Sequence, residues 1–171
     1  MNICFRDVRD TDGPAVISIF NYFVLNSFAA YCEKEMGPEV FTRFRNASRV
    51  FLLLEIDDQP VGFGMIQEYN AFENFKHTGM LTYFILPQFT GQGLGTQMLN
   101  RLLAAGKELG ITNLIAHISS KNEQSLRFHK KHGFTECGRL NEMGIKFNQP
   151  FDIVWVQKMA PGGASIKELN S

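Results

Sequence analysis

The chain is short of several things, and each shortage removes a class of function. Only three of its 171 residues are cysteine, and Cys4, Cys32 and Cys137 stand far apart without a close pair. That is neither the even, closely spaced set of a disulfide-stapled domain nor the paired spacing of a zinc site. A reducing compartment suits such a chain, and no metal is expected. Surplus charge is missing as well: 17 Lys plus Arg balance 17 Asp plus Glu, so no general attraction toward nucleic acid or an anionic membrane is encoded. No run of apolar residues reaches membrane-spanning length. The first ten residues carry Arg6, Asp7, Arg9 and Asp10 where a secretion signal needs an apolar stretch. A cytoplasmic protein acting on a small molecule, away from nucleic acid and membrane, is the expectation. There are no internal repeats.

What is present is the material of one ordinary domain, 44% hydrophobic and 20% charged. A single domain is expected over residues 1–160. Residues 161–171, with Pro-Gly-Gly and little to bury, read as a flexible tail. Residues 3–7 suit a first strand, and Thr11, Asp12 and Pro14 then offer capping oxygens and a first-turn proline for a helix running to Asn26. Val16, Ile17, Phe20, Phe23 and Val24 recur at helical spacing and predict its buried stripe. A shorter helix is expected over 38–46. Between the two, 27–37 is irregular, and the rings of Phe28 and Tyr31 are left uncommitted to a helical face, available to line a site. Two β-rich runs, 50–56 and 61–69, flank Asp57-Asp58-Gln59-Pro60 and read as a hairpin. The nearly continuous apolar run 80–86 predicts a central strand ended by Pro87. Leu94, Met98, Leu99, Leu102 and Leu103 predict a helix stopped near Gly110. A strand over 113–118, a helix over 125–132 and strands over 134–137 and 151–159 complete the pattern.

The chemistry concentrates where strand 80–86 turns into the next helix, at Thr90-Gly91-Gln92-Gly93-Leu94-Gly95. Small residues there let backbone N–H groups cradle an anion, and the helix start adds partial positive charge. Phosphate or pyrophosphate is the natural ligand. A nucleotide P-loop would need a lysine after the turn, but Gly95 is followed by Thr96 and Gln97. A dinucleotide fingerprint would need G-x-G-x-x-G and an acidic residue ending the next strand; the glycines are spaced G-x-G-x-G and that strand ends His117-Ile118-Ser119. A tight strand-to-helix turn with no ligand remains open on spacing alone.

The stretch from Pro87 to Gly95 resembles the pyrophosphate-binding motif of the GNAT superfamily of N-acetyltransferases, R/Q-x-x-G-x-G/A. With Gly93 and Gly95 on its glycines, Thr90 takes the Arg/Gln position, and Gln88 fits only a register shifted by two. Downstream, Asn122-Glu123-Gln124-Ser125-Leu126-Arg127-Phe128-His129-Lys130-Lys131-His132-Gly133-Phe134 resembles the second signature, N-x-x-S/A-x-x-x-Y/H-x-x-x-G-F. Gly144-Ile145-Lys146-Phe147 with Asp152 to Lys158, and Ile19-Phe20-Asn21-Tyr22 with Ser27 and Glu33, are similar to phosphinothricin and methionine-sulfoximine acetyltransferases.

The resemblance implies an α/β three-layer fold, with a mixed, mostly antiparallel sheet of about seven strands splayed between the fourth and fifth. It implies acetyl-CoA as donor and an amine on a small amino-acid-like or xenobiotic molecule as acceptor. Thr90, Gly91, Gln92, Gly93, Leu94, Gly95 and Thr96 would meet the pyrophosphate. Tyr83, Phe84, Ile85 and Leu86 would offer strand backbone to the pantetheine arm. Asn122 and Ser125 would contact the arm, although Asn122 also suits a plain N-cap. Lys131, with Lys130, would meet phosphates or simply be solvated. His129 falls where the superfamily often has a tyrosine near the thioester sulfur, as the acid or as a packing group. Glu68 and His77 are candidates for the base. Phe28, Tyr31 and Lys146 are candidates for the acceptor pocket. One departure stands out: Met80 occupies the place of a glutamate that this subfamily usually carries. A protein or peptide N-acetyltransferase and a non-catalytic CoA-binding module are the alternatives, and a homodimer through the last strands is implied.

Overall fold

The computed structural model describes residues 1–159; the tail expected at 161–171 lies outside the described residues. Seven strands form one sheet: β1 (Ile3–Asp7), β2 (Ser48–Ile56), β3 (Gln59–Glu68), β4 (Thr78–Ile85), β5 (Asn113–Ser119), β6 (Thr135–Lys146) and β7 (Gln149–Met159). Their order is β1-β2-β3-β4-β5-β7-β6. Every neighbouring pair is antiparallel except β4 with β5. Four helices cover the faces: α1 (Gly13–Asn26), α2 (Pro38–Ala47), α3 (Leu94–Glu108) and α4 (Glu123–Lys131). This is the expected three-layer α/β architecture.

Alternation along the strands separates two cores. Val50, Leu52, Leu54 and Ile56 of β2 face α3 together with Ile66, Leu81 and Ile118. Phe51, Leu53, Phe63, Met65 and Phe84 face α1 and α2, packing on Val16, Ile19, Phe20, Val24 and Val40. Ile19 joins the buried stripe of α1, whereas Ile17 and Phe23 pack only at its margin. Asp57 and Asp58 both take positive φ, 48° and 62°, the backbone of a two-residue hairpin turn.

Two glycines let α3 lie close on the sheet. A Cβ at Gly64 of β3 would come within 2.8 Å of Met98 Sδ and 2.9 Å of Leu102 Cδ1, and one at Gly106 within 2.8 Å of Ile66 Cδ1. Gly64→Val is therefore expected to overpack this seam and cost about 2 kcal/mol, read as a fall in thermal midpoint. An unchanged midpoint would mean that α3 has room to shift.

β6 differs most from expectation, running to Lys146 rather than ending at Cys137. It is an edge strand exposed along nearly its whole length, with register shifts between Glu136 and Gly138 and between Leu140 and Gly144 and a positive φ at Glu142. Without a buried face, its sequence has no alternation to read. Among the described residues no helix is long and apolar enough to cross a membrane.

Candidate functional site

The parallel strands β4 and β5 pair only from Thr78 to Met80 and from Asn113 to Ile115, then part. β4 keeps its ladder to β3 throughout, from Glu68 opposite Gly79 to Gly62 opposite Ile85. Leu86 N–H bonds Val61 O at 2.9 Å. Backbone groups alternate sides along such a ladder, so Leu86 and Phe84 turn theirs to β3 while Tyr83 and Ile85 turn theirs to the gap. Of the four residues expected to offer backbone to the pantetheine arm, two turn it toward the gap. Phe84 instead packs against Phe20, Phe23 and Phe63. A cavity of about 260 Å³ occupies the gap, bordered by Thr82 and Tyr83 of β4, His117 and Ser119 of β5, Tyr31 of the α1–α2 loop, and Asn122, Ser125 and His129 at α4.

Beside the gap, Gly91 and Gly93 each hold φ of 78°, a conformation that costs other residues, and Gly93 is the N-cap of α3. Gly95 serves packing, since a Cβ there would come 3.3 Å from Phe128 Cε2. The first intrahelical bond runs from Gln97 N–H to Gly93 O at 3.0 Å, so the N–H groups of Leu94, Gly95 and Thr96 form the outward-directed helix start. Gly91, Gln92 and Gly93 are exposed in front of it. Exposed glycines at positive φ before a helix start fit an anion such as a pyrophosphate.

The side chains contribute less than their backbones here. Thr90 Oγ1 bonds Pro87 O at 2.7 Å, and Leu94 is buried. His132 donates from Nδ1 to Phe128 O, and its Nε2 lies within hydrogen-bond distance of the Thr96 hydroxyl, at 3.0 Å. This contact sets the end of α4, with exposed Lys131, beside the glycine turn. At the other end of α4, Asn122 is the N-cap, its Oδ1 accepting from Ser125 N–H at 3.3 Å.

His129 is 3% exposed and lies behind Tyr83. Its Nδ1 is 2.8 Å from Ser125 O, which can only accept, so Nδ1 carries the proton and Nε2 accepts from the Tyr83 hydroxyl at 2.9 Å. Ser125 Oγ is also 3.3 Å from Nδ1. Burial lowers the pKa of His129, against the Ser125 backbone bond and with a small push from His132. Burial also raises that of Tyr83 far above the ordinary phenol value. On this side of the gap the hydroxyl hydrogen of Tyr83 is thus held by His129 Nε2. Sequence reasoning missed this side chain, because an aromatic in a central strand reads as core.

Across the gap, the Tyr31 hydroxyl lies 2.8 Å from His117 Nδ1 and 3.2 Å from His117 O. Tyr31 stacks on Phe151, and His117 packs against Trp155. His117 also went unnoticed in the sequence, where it marks only the end of a strand.

Other expected site residues lie elsewhere. Glu68 and His77 are exposed at the end where β4 and β5 are joined, and the carbonyl of His77 accepts the N–H groups of Thr112 and Asn113. Neither borders the cavity, so neither is placed to act as its base. Phe28 packs edge-on against Phe147 and Phe151, away from the cavity lining. Lys146 is fully buried, its Nζ donating to Ser27 O and Ala30 O at 2.6 Å each and reaching toward Phe23 O at 3.5 Å. Burial lowers its pKa, with the neighbouring Cys32 and Glu33 side chains opposing the shift. With its donors spent on carbonyls, Lys146 is a strut for the α1–α2 loop rather than an acceptor contact. Met80 stands at the last position where β4 is paired with β5. Among the described residues no cluster of three metal-ligating side chains occurs, and all three cysteines are free.

Comparison with known proteins agrees with this geometry. The sequence model of the Acetyltransferase (GNAT) family matches residues 16–134. An L-methionine sulfoximine/L-methionine sulfone acetyltransferase of Salmonella typhimurium is 26% identical over 161 residues, covering 92% of this chain and 93% of its own. The ribosomal-protein-alanine N-acetyltransferase of Brucella melitensis superposes with a TM-score of 0.81 at 30% identity, over 91% of this chain and 99% of that one. A GNAT superfamily phosphinothricin acetyltransferase from Sinorhizobium meliloti, solved in complex with AcCoA, superposes with a TM-score of 0.86 over 96% of this chain and 92% of that one; at 20% identity it speaks for the fold.

Proposed function

The chain belongs to the Acetyltransferase (GNAT) family, and on that premise we propose that it transfers the acetyl group of acetyl-CoA directly to the primary amine of a small amino-acid-like or xenobiotic acceptor. The observation that carries this reading is the gap between β4 and β5, opening beside the glycine-led start of α3. Acetyl-CoA supplies an activated acyl carbon. The N–H groups of Leu94, Gly95 and Thr96 and the Gly91-Gln92-Gly93 turn would hold its pyrophosphate, with Lys131 at the margin. The gap-facing backbone of Tyr83 and Ile85, the Asn122 amide and Ser125 would hold its arm. A cavity of about 260 Å³, walled by the rings of Phe20, Tyr31 and Phe44, suits a small acceptor better than a polypeptide. The domain occupies residues 1–160 and works in the cytoplasm. The exposed edge of β6, with Leu140, Met143 and Ile145 at 46%, 59% and 72% exposure, supports a homodimer through the last strands.

The test is a CoA titration followed by thermal unfolding, then a thiol-release screen over amino acids, sulfoximines, phosphinates, polyamines and peptides. No thermal shift at millimolar CoA would sink the donor assignment. Release of thiol with peptides alone would move the acceptor to a protein terminus, and binding without release would leave a non-catalytic CoA module. Within this mechanism the Tyr83 hydroxyl turns its hydrogen from His129 Nε2 to the departing thiolate and stabilises it by a hydrogen bond, and water then supplies the proton. Tyr83→Phe is expected to lower kcat about tenfold with CoA binding unchanged, about what one hydrogen bond to a charged group contributes. An unaltered kcat would show that the thiolate leaves without this bond.

A further inference from the structure

The geometry points to His117 as the general base that takes the proton from the attacking amine, with Tyr31 as its positioning residue. This rests on the acetyl-transfer reading above and supplies the base that the sequence left undetermined. Three observations carry it.

The first is placement. Continuing the register of β4 and β5 beyond Met80 and Ile115 sets His117 level with Thr82, just past the point where the strands part. Side chains alternate between faces. Leu81 and Tyr83 belong with the core under α3 and α4, as do Ala116 and Ile118, so His117 points to the opposite face, toward the α1–α2 loop and Tyr31. Tyr83 and His117 thus border one cavity from opposite faces of the sheet. Met80 shares the face of His117 and carries no ionisable group.

The second is the tautomer. The Tyr31 hydroxyl is within reach of both His117 Nδ1 and His117 O, at 2.8 and 3.2 Å. If Tyr31 donated to Nδ1, one bond would form and the carbonyl would go without it. If Nδ1–H donates to the hydroxyl oxygen while the hydroxyl donates to the carbonyl, both bonds form. The second arrangement wins by one hydrogen bond and leaves the lone pair on Nε2.

The third is access. Nε2 of His117 makes no hydrogen bond to the described residues, yet none of their buried side-chain nitrogens or oxygens is without a partner. Nε2 is therefore open to solvent, on a residue that borders the cavity. Tyr31 is the titratable group facing it from the loop; Trp155 on β7 and Thr82 on β4 do not ionise. Burial lowers the pKa of His117 and no charged neighbour contributes, so the ring is neutral at pH 7.

The amine lone pair forms the C–N bond to the thioester carbonyl carbon, whose π pair moves to oxygen. The nitrogen, now cationic and strongly acidic, gives its proton to Nε2. The oxyanion reforms the carbonyl, the C–S bond breaks, and the thiolate, hydrogen-bonded by the Tyr83 hydroxyl, takes a proton from water. His117 releases its proton to solvent.

The test combines kinetics with imidazole nitrogen NMR of the whole chain. In wild type the spectrum should show His117 with hydrogen on Nδ1 and a pKa below the ordinary histidine value; hydrogen on Nε2 would overturn the proposal without any assay. His117→Gln should lower kcat about a hundredfold, within the range of a positioned base, while CoA still raises the thermal midpoint. The acidic limb of the wild-type pH profile should flatten in this variant. Tyr31→Phe should cost less, about tenfold, and move that limb rather than remove it. If His117→Gln does not fold, His117→Ala assayed with added imidazole takes its place, rescue supporting the base role and its lack opposing it. An active wild type beside a His117→Gln enzyme of equal rate and unchanged pH profile would refute the base while leaving the transferase reading intact. A wild type that releases no thiol with any amine would refute the transferase reading itself, and the base with it.

Discussion

Gly93→Glu is expected to abolish the stabilisation of the protein by CoA, with affinity lower by at least about a hundredfold, or roughly 3 kcal/mol. Two effects combine. Gly93 sits at φ of 78°, so any side chain adds about 1 kcal/mol of backbone strain. The glutamate also places a carboxylate before the N–H groups of Leu94, Gly95 and Thr96, where the donor's pyrophosphate is proposed to lie. A helix start stabilises a nearby carboxylate, so the variant should fold while competing with the anion. Gly93→Ala separates the two effects, since it adds the strain without the charge and should lose far less. Thermal shift against CoA reads both. A Gly93→Glu protein that folds and binds CoA like wild type would show that the pyrophosphate lies elsewhere.

Lys146→Met is expected to destabilise the fold by about 3 kcal/mol, a fall of about 10 °C in thermal midpoint for a chain of this size. Methionine keeps the volume of the buried side chain but leaves the carbonyls of Ser27 and Ala30 without their donor. Those carbonyls belong to the end of α1 and to the loop that carries Tyr31. A second link, from Phe147 N–H to the Glu33 carboxylate, ties the same loop to the β6–β7 hairpin. The loop should therefore loosen, raising the acceptor KM while CoA affinity holds. Equal losses for donor and acceptor would show that Lys146 supports the whole domain rather than this wall.

The contrast between these two positions shows where the sequence was legible. The glycine turn announces itself locally, because positive φ and a helix start are properties of adjacent residues. The same holds for Asn122, whose capping bond reaches three residues along its own helix. Strands β2 to β5 were legible for a related reason, since burial of one or both faces stamps a pattern on the chain. β6, exposed on both faces, carries no such pattern. Lys146 reads as an acceptor contact through the resemblance of its stretch alone, and its carbonyl partners lie 119 and 116 residues away. Glu68 and His77 neighbour the right strands in sequence but lie at their joined end.

The sequence by itself determined most of the individual helices and strands, the glycine turn before α3 and, through two motifs, the resemblance to an acetyl-transferring family, because periodicity, turn chemistry and motif spacing are short-range. Only the tertiary structure decided which ionisable groups meet at the gap. Tyr83 meets His129 across 46 residues and Tyr31 meets His117 across 86. Such pairings are made by strands that part and helices that dock. Their tautomers and shifted pKa values arise from burial and hydrogen bonding that no local stretch of the chain encodes.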